Sequence, residues 1–79
     1  MEIELTLQPN RGRFLATDGS MRLGKMTFLR EGESRIIVDH TIVEEHARGR
    51  QVGHALFDHM VQWARDNRIV VAVTCQSTI

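Results

Sequence analysis

Hydrophobic and polar residues alternate from the start of the chain: Ile3, Leu5 and Leu7 stand between Glu2, Glu4 and Thr6. A period of two predicts a half-buried strand. Pro9-Asn10-Arg11-Gly12 predicts a turn, Arg13–Thr17 a short strand, and Asp18-Gly19 a hairpin, since both residues tolerate positive φ. Met21–Arg30 predicts the return strand, weakened by Gly24, and Glu31-Gly32-Glu33-Ser34 a second turn. Arg35–Val43 is rich in β-branched residues and predicts a strong strand. The first half of the chain is therefore expected to fold as an antiparallel meander.

The period then changes. Val52, Leu56, Met60 and Trp63 share one face at helical spacing, with Phe57, Val61 and Ala64 widening it and His54, Asp58, Gln62 and Arg65 opposite. Arg65 and Arg68 suit the negative end of the helix dipole, and Asn67 is expected to close the helix in a left-handed conformation. Ile69–Val73 is a continuous apolar run, which predicts a strand covered on both faces or lying in mid-sheet. Strand, helix, strand makes a βαβ crossover, expected to be right-handed. The fold class expected is α+β (mixed α/β): a meander followed by a βαβ unit with one main helix, in a single domain over residues 1–79. Trp63 and Met60 sit at core spacing and need no functional role.

Composition narrows the setting. At 79 residues the chain is near the lower size limit for a single core. A formal net charge of zero argues against a broad nucleic-acid footprint. One cysteine excludes an internal disulfide and suits a reducing compartment. The N-terminus lacks the basic start and apolar block of a signal peptide, and no apolar run reaches membrane-spanning length. A cytoplasmic protein is expected, without nucleic-acid or membrane partners.

The chemistry concentrates between Asp39 and Leu56, where a strand ends, a charged loop follows, and the helix begins. The first amides of a helix have no intrahelical acceptor, and the dipole adds positive potential. No Ser, Thr, Asp or Asn stands just before Val52 to cap them. An anion can therefore seat there, with Gly49 and Gly53 allowing close backbone approach and Arg48 and Arg50 adding charge-assisted hydrogen bonds. The plainer alternative has Gly49 capping the helix, Gly53 packing it on the sheet, and both arginines solvated. His54 and His59 are five apart and point in different directions, so no metal site is expected.

His40-Thr41-Ile42-Val43, then Arg48-Gly49-Arg50-Gln51-Val52-Gly53, then Leu56, resembles the central motif of the GNAT superfamily of acetyl-CoA-dependent N-acetyltransferases. More narrowly, the chain is similar to the short stand-alone GNAT-like branch, over Phe14 to about Cys75. The resemblance implies a GNAT-like sheet with acetyl-CoA as cosubstrate and an amine as acceptor. The amides of Gln51, Val52, Gly53 and His54 would hold the pyrophosphate, with Arg48, Gly49 and Arg50 beside it. The pantetheine arm would pass Ile42 and Val43, between that strand and the one ending near Cys75. A main-chain N–H there would polarise the thioester carbonyl.

The sequence departs from the motif in three places. Gln51 occupies the first glycine position, where a Cβ crowds the pyrophosphate. The chain has no tyrosine, so the residue that protonates the leaving thiolate in many such enzymes is missing. The sequence stops at Ile79, where larger relatives continue with a helix and strand that wall the acceptor side. A second subunit is one way to supply that wall, and a homodimer is accordingly an expectation.

In the short branch the resemblance places a cysteine beside the thioester, so Cys75 is a candidate to accept and pass on the acetyl group, with His40 as its base. The alternative is a buried, inert cysteine. Apart from that role, His40 reads as hydrogen-bonded in the sheet or lining the site. Direct transfer instead needs a base for the incoming amine; Glu44, Glu45 and His46 are close in sequence to the acetyl site, and of these Glu45 and His46 read as solvated loop. Three functions are thus set out: an N-acetyltransferase, acting directly or through Cys75; a CoA or acyl-CoA binding module without catalysis; and a dimeric interaction domain whose uncovered sheet face meets a partner.

Overall fold

The computed structural model describes residues 1–73. The described elements are β1 (Glu2–Leu7), β2 (Arg11–Asp18), β3 (Met21–Glu31), β4 (Arg35–Val43), a 3-10 turn (Glu45–Ala47), α1 (Val52–Asp66) and β5 (Val70–Val73). The strands form one sheet in sequence order; the first four are antiparallel neighbours and β5 joins β4 in parallel. The mixed α+β architecture is the expected one, with α1 as the crossover from β4 to β5. No described helix is long and apolar enough to cross a membrane.

Alternation in the strands places Phe14 and Ala16 of β2, Met26 and Phe28 of β3, and Ile36 and Val38 of β4 under the helix. They meet Val52, Leu56, Met60 and Ala64, the buried face of α1. The rings of Phe14, Phe28 and Trp63 lie within 5.7 Å of one another, Phe14 meeting Trp63 edge-on at 75°. Such geometry adds about 1 kcal/mol per pair beyond burial. Trp63 is thus a core residue, as its spacing predicts.

Several boundaries differ from expectation for local reasons. β2 begins at Arg11, because the turn closes earlier through Gln8 N–H donating to the Arg11 carbonyl at 2.8 Å. Gly12 therefore belongs to the strand, and a Cβ there would lie 2.2 Å from Cζ of Phe28. The hairpin loop is Gly19-Ser20, with Asp18 paired to Met21 and Gly19 at φ 63°. α1 ends with Arg68, not Asn67, in the left-handed region at φ 55°. The N–H of Ile69 reaches the Ala64 carbonyl and that of Arg68 the Arg65 carbonyl, the paired bonds of a Schellman stop. Asn67 contributes its side chain instead, Nδ2 donating to the Trp63 carbonyl at 2.8 Å. Among the described residues β5 lies neither in mid-sheet nor under cover on both faces. It is the last strand among them, with Val70 62% and Val73 57% exposed. Phe57, placed by spacing on the core face, is 46% exposed and looks into a cavity.

Gly24 does not weaken β3; it permits the sheet. A Cβ at this position would lie 2.7 Å from the Ile42 carbonyl oxygen, 3.1 Å from Cγ1 of Val52 and 3.3 Å from Cα of Val43. Only a residue without a side chain lets β3 carry both the end of β4 and the start of α1 so closely. This contact fixes where the strand hands over to the helix.

Candidate active site

β4 contains the feature that organises the site. Phe28 pairs with Val38 and Thr27 with His40, so Asp39 is an extra residue in the ladder. A β-bulge reverses the alternation beyond it. Before the bulge Ile36 and Val38 face the helix; after it Thr41 and Val43 do, opposite Met26 and Gly24. His40 and Ile42, opposite Thr27 and Lys25, turn to the face that α1 leaves uncovered. Thr27 Oγ1 donates to Asp39 Oδ1 at 2.7 Å and holds the bulge. Among the described residues β5 pairs with β4 from Arg35–Val70 to Val38–Val73, and β4 itself extends to Val43.

A cavity of about 470 Å³ opens between the end of β4 and the start of α1. It brings together Ile42, Val43, Arg48, Gly49, Gln51, Val52 and Gly53, with Thr41 and Ala47 completing the lining. Thr41 and Gly53 also line a smaller, apolar cavity of about 240 Å³ with Met26, Val38, Phe57 and Val73. The first bond of α1 is Ala55 N–H to the Gln51 carbonyl, and no side chain caps the helix. The amides of Val52, Gly53 and His54 thus begin the helix as unsatisfied donors.

The other candidates are placed differently. Arg50 lies outside both cavities and pairs with Asp18 of the β2–β3 hairpin at 3.2 Å. Both groups are half-exposed, and such a pair contributes no more than about 1 kcal/mol. The side chain of Arg48 has no hydrogen-bond or ionic partner among the described residues and remains available in the larger cavity. The His54 ring pairs with Asp58 on the exposed side of α1 at 3.1 Å, so only its main chain faces the helix start. Glu44 lines none of these cavities; its N–H donates to the Leu23 carbonyl at 2.9 Å. Cys75 lies outside the described residues. Gly49, at φ 88°, follows the 3-10 turn and ends it, so it does not cap α1.

Gln51 stands immediately before α1 in the left-handed region, at φ 59° and ψ 35°. A residue with a Cβ is disfavoured there by about 1 kcal/mol relative to glycine. Gln51→Gly is accordingly expected to raise Tm by about 5 °C. A variant melting no higher than the parent chain in a thermal-denaturation experiment would show that the glutamine contributes an offsetting contact.

Comparison with known proteins agrees with this layout. A family model described as GCN5-related N-acetyl-transferase matches residues 13–78. No curated protein matches the sequence. Among solved structures, the chain is similar to a GNAT family acetyltransferase from Streptococcus pneumoniae TIGR4, with 21% identity and a TM-score of 0.65 over 85% of this chain and 50% of that one. It is also similar to an assigned streptothricin acetyltransferase from Bacillus anthracis str. Ames, solved in complex with acetyl coenzyme A, with 19% identity and a TM-score of 0.64 over 78% of this chain and 36% of that one. The chain thus spans half or less of the length of these two proteins, and at this identity the likeness concerns the fold.

Proposed function

We propose a mechanism from one premise: the chain belongs to the family of GCN5-related N-acetyltransferases. Its function is transfer of an acetyl group from acetyl-CoA to a primary amine. The observation that carries this reading is the cavity where β4 runs into α1. The uncapped amides of Val52, Gly53 and His54 suit a diphosphate, with Arg48 supplying charge. The apolar slot past Thr41, Phe57 and Val73 suits the pantetheine arm. The thioester then lies at the bulge, where a main-chain N–H of β4 beyond Val38 stabilises the oxyanion.

The amine attacks from the uncovered face, on which His40 lies. His40 takes its proton, a C–N bond forms to the acetyl carbon, the C–S bond breaks, and CoA leaves as a thiolate that takes up a proton from solvent. His40 is favoured over Glu44 because it lines the groove on that face, and Glu44 does not. Direct transfer needs no acetyl-Cys75; Cys75→Ala is expected to keep at least half of the turnover, and complete loss would favour the covalent route. The protein works in a reducing compartment such as the cytoplasm, which suits a chain with one cysteine. The uncovered face carries Arg13, Lys25, Thr27, Asp39 and His40 around one groove. That composition suits a small polar ligand better than a second subunit.

Titration with acetyl-CoA tests the reading. Saturating ligand is expected to raise Tm by several degrees, since it binds only the folded chain. Gly53→Val places methyl groups in the cavity, although a Cβ there meets only Cγ2 of Val43, at 3.6 Å. It is expected to weaken acetyl-CoA about tenfold, or about 1.4 kcal/mol, with Tm nearly unchanged. Absence of binding by the parent chain at millimolar acetyl-CoA overturns the assignment. Binding without turnover across an amine panel would make the protein a CoA-binding module.

A further inference from the structure

The uncovered face of the sheet holds a groove of about 440 Å³, lined from β1 to β4. Register aligns Thr6, Arg13, Thr27 and His40 in one row across those four strands. Lys25 lies beside the row, opposite Ile42, and Arg11 lies at its other side, opposite Leu29. Arg11, Arg13 and Lys25 set three cations against one carboxylate, Asp39, in the lining. None of the three cationic side chains has a hydrogen-bond or ionic partner among the described residues. Asp39 Oδ1 is engaged by Thr27, which leaves its second oxygen as an acceptor. Ile42 lines both this groove and the cavity at the helix start.

We propose that this groove binds the acceptor, and that the acceptor is a small amine that also carries an anionic group, either a carboxylate or a phosphate. The proposal rests on the acetyltransferase reading above. The ammonium end sits at Asp39 and His40, at the bulge beside which the thioester is placed. The anionic end sits at Arg13 and Lys25. Arg13 and His40 are two strands apart, so their main chains are about 10 Å apart across the sheet. Their side chains close that span to the length of a short aminoalkyl acid. A polyamine would set its second charge against the three cations and is excluded by the same groove.

Equilibrium binding to the protein without acetyl-CoA tests this, using phosphoethanolamine and γ-aminobutyrate as anionic amines and ethanolamine and putrescine as controls. At least one anionic amine is expected to bind about tenfold or more tightly than both controls, and the tighter of the two identifies phosphate or carboxylate as the preferred anion. The double variant Arg13→Gln, Lys25→Gln is expected to abolish that preference while Tm and acetyl-CoA affinity stay unchanged. Ethanolamine or putrescine binding as tightly as both anionic amines overturns the proposal, as does a double variant that keeps the preference. Acetyl-CoA affinity, measured in parallel, separates the two readings. Retained acetyl-CoA binding without discrimination among amines removes only the acceptor assignment. Failure to bind acetyl-CoA removes the transferase reading and this proposal with it.

Discussion

His40→Gln is expected to lower kcat for acetyl transfer by about a hundredfold, the usual contribution of a positioned general base, while acetyl-CoA affinity and Tm stay close to those of the parent chain. The separation follows from placement. His40 is exposed on the uncovered face, while the helix start and its cavity lie across the sheet. No hydrogen bond or ring contact of the described structure depends on its imidazole. Added imidazole is expected to restore part of the rate, which a merely structural residue would not allow. An unchanged kcat would remove His40 from the mechanism and return attention to Glu44 and Cys75.

Gly24→Val is expected to cost about 3 kcal/mol, the upper range for overpacking a filled core, and to lower Tm by about 15 °C in a domain of this size. The new Cβ meets the Ile42 carbonyl oxygen at 2.7 Å, and that oxygen belongs to main chain held in the β3–β4 ladder. Neither partner can withdraw without breaking Gly24–Val43 pairing or moving Val52, the first residue of α1. Gly53→Ala provides the contrast, since its Cβ makes one ordinary contact, at 3.6 Å, and alanine is the better helix former. Tm should not fall in that variant. Equal melting of the parent chain and Gly24→Val would refute the close-approach argument.

The sequence was most legible where one local signal dominates. The β-branched run defines β4 from Arg35 to Val43, and the period of Val52, Leu56 and Met60 defines the buried face of α1. Glycines misled in proportion to how far their reason lies from them in sequence. Gly12 reads as a turn residue but is a strand residue under Phe28, and Gly24 reads as a weak spot but answers to Ile42 and Val52. The apolar run of β5 resembles a central strand because composition alone carries no information about what lies beside it. At the left-handed helix stop, Asn67 is the better candidate by residue type, yet the chain places Arg68 there so that Ile69 can reach the Ala64 carbonyl.

The cavity at the helix start was legible because its loop is continuous in sequence. The groove on the other face was not, since Arg11, Arg13, Lys25 and Asp39 come from three strands and meet only through register. One local signal was available. Asp39-His40 places two polar residues in succession inside an otherwise β-branched strand, as an interrupted alternation would.

That interruption decides which chemistry each side of the protein sees. If Asp39 were paired in the ladder and β4 ran with uninterrupted alternation, His40 and Ile42 would be carried beneath α1, and Thr41 and Val43 would be turned to the opposite face. A single unpaired residue thus acts as a half-twist in the ribbon. It lets one strand contribute greasy side chains to a core at one end and an imidazole to open water a few residues later, on opposite sides of the same wall.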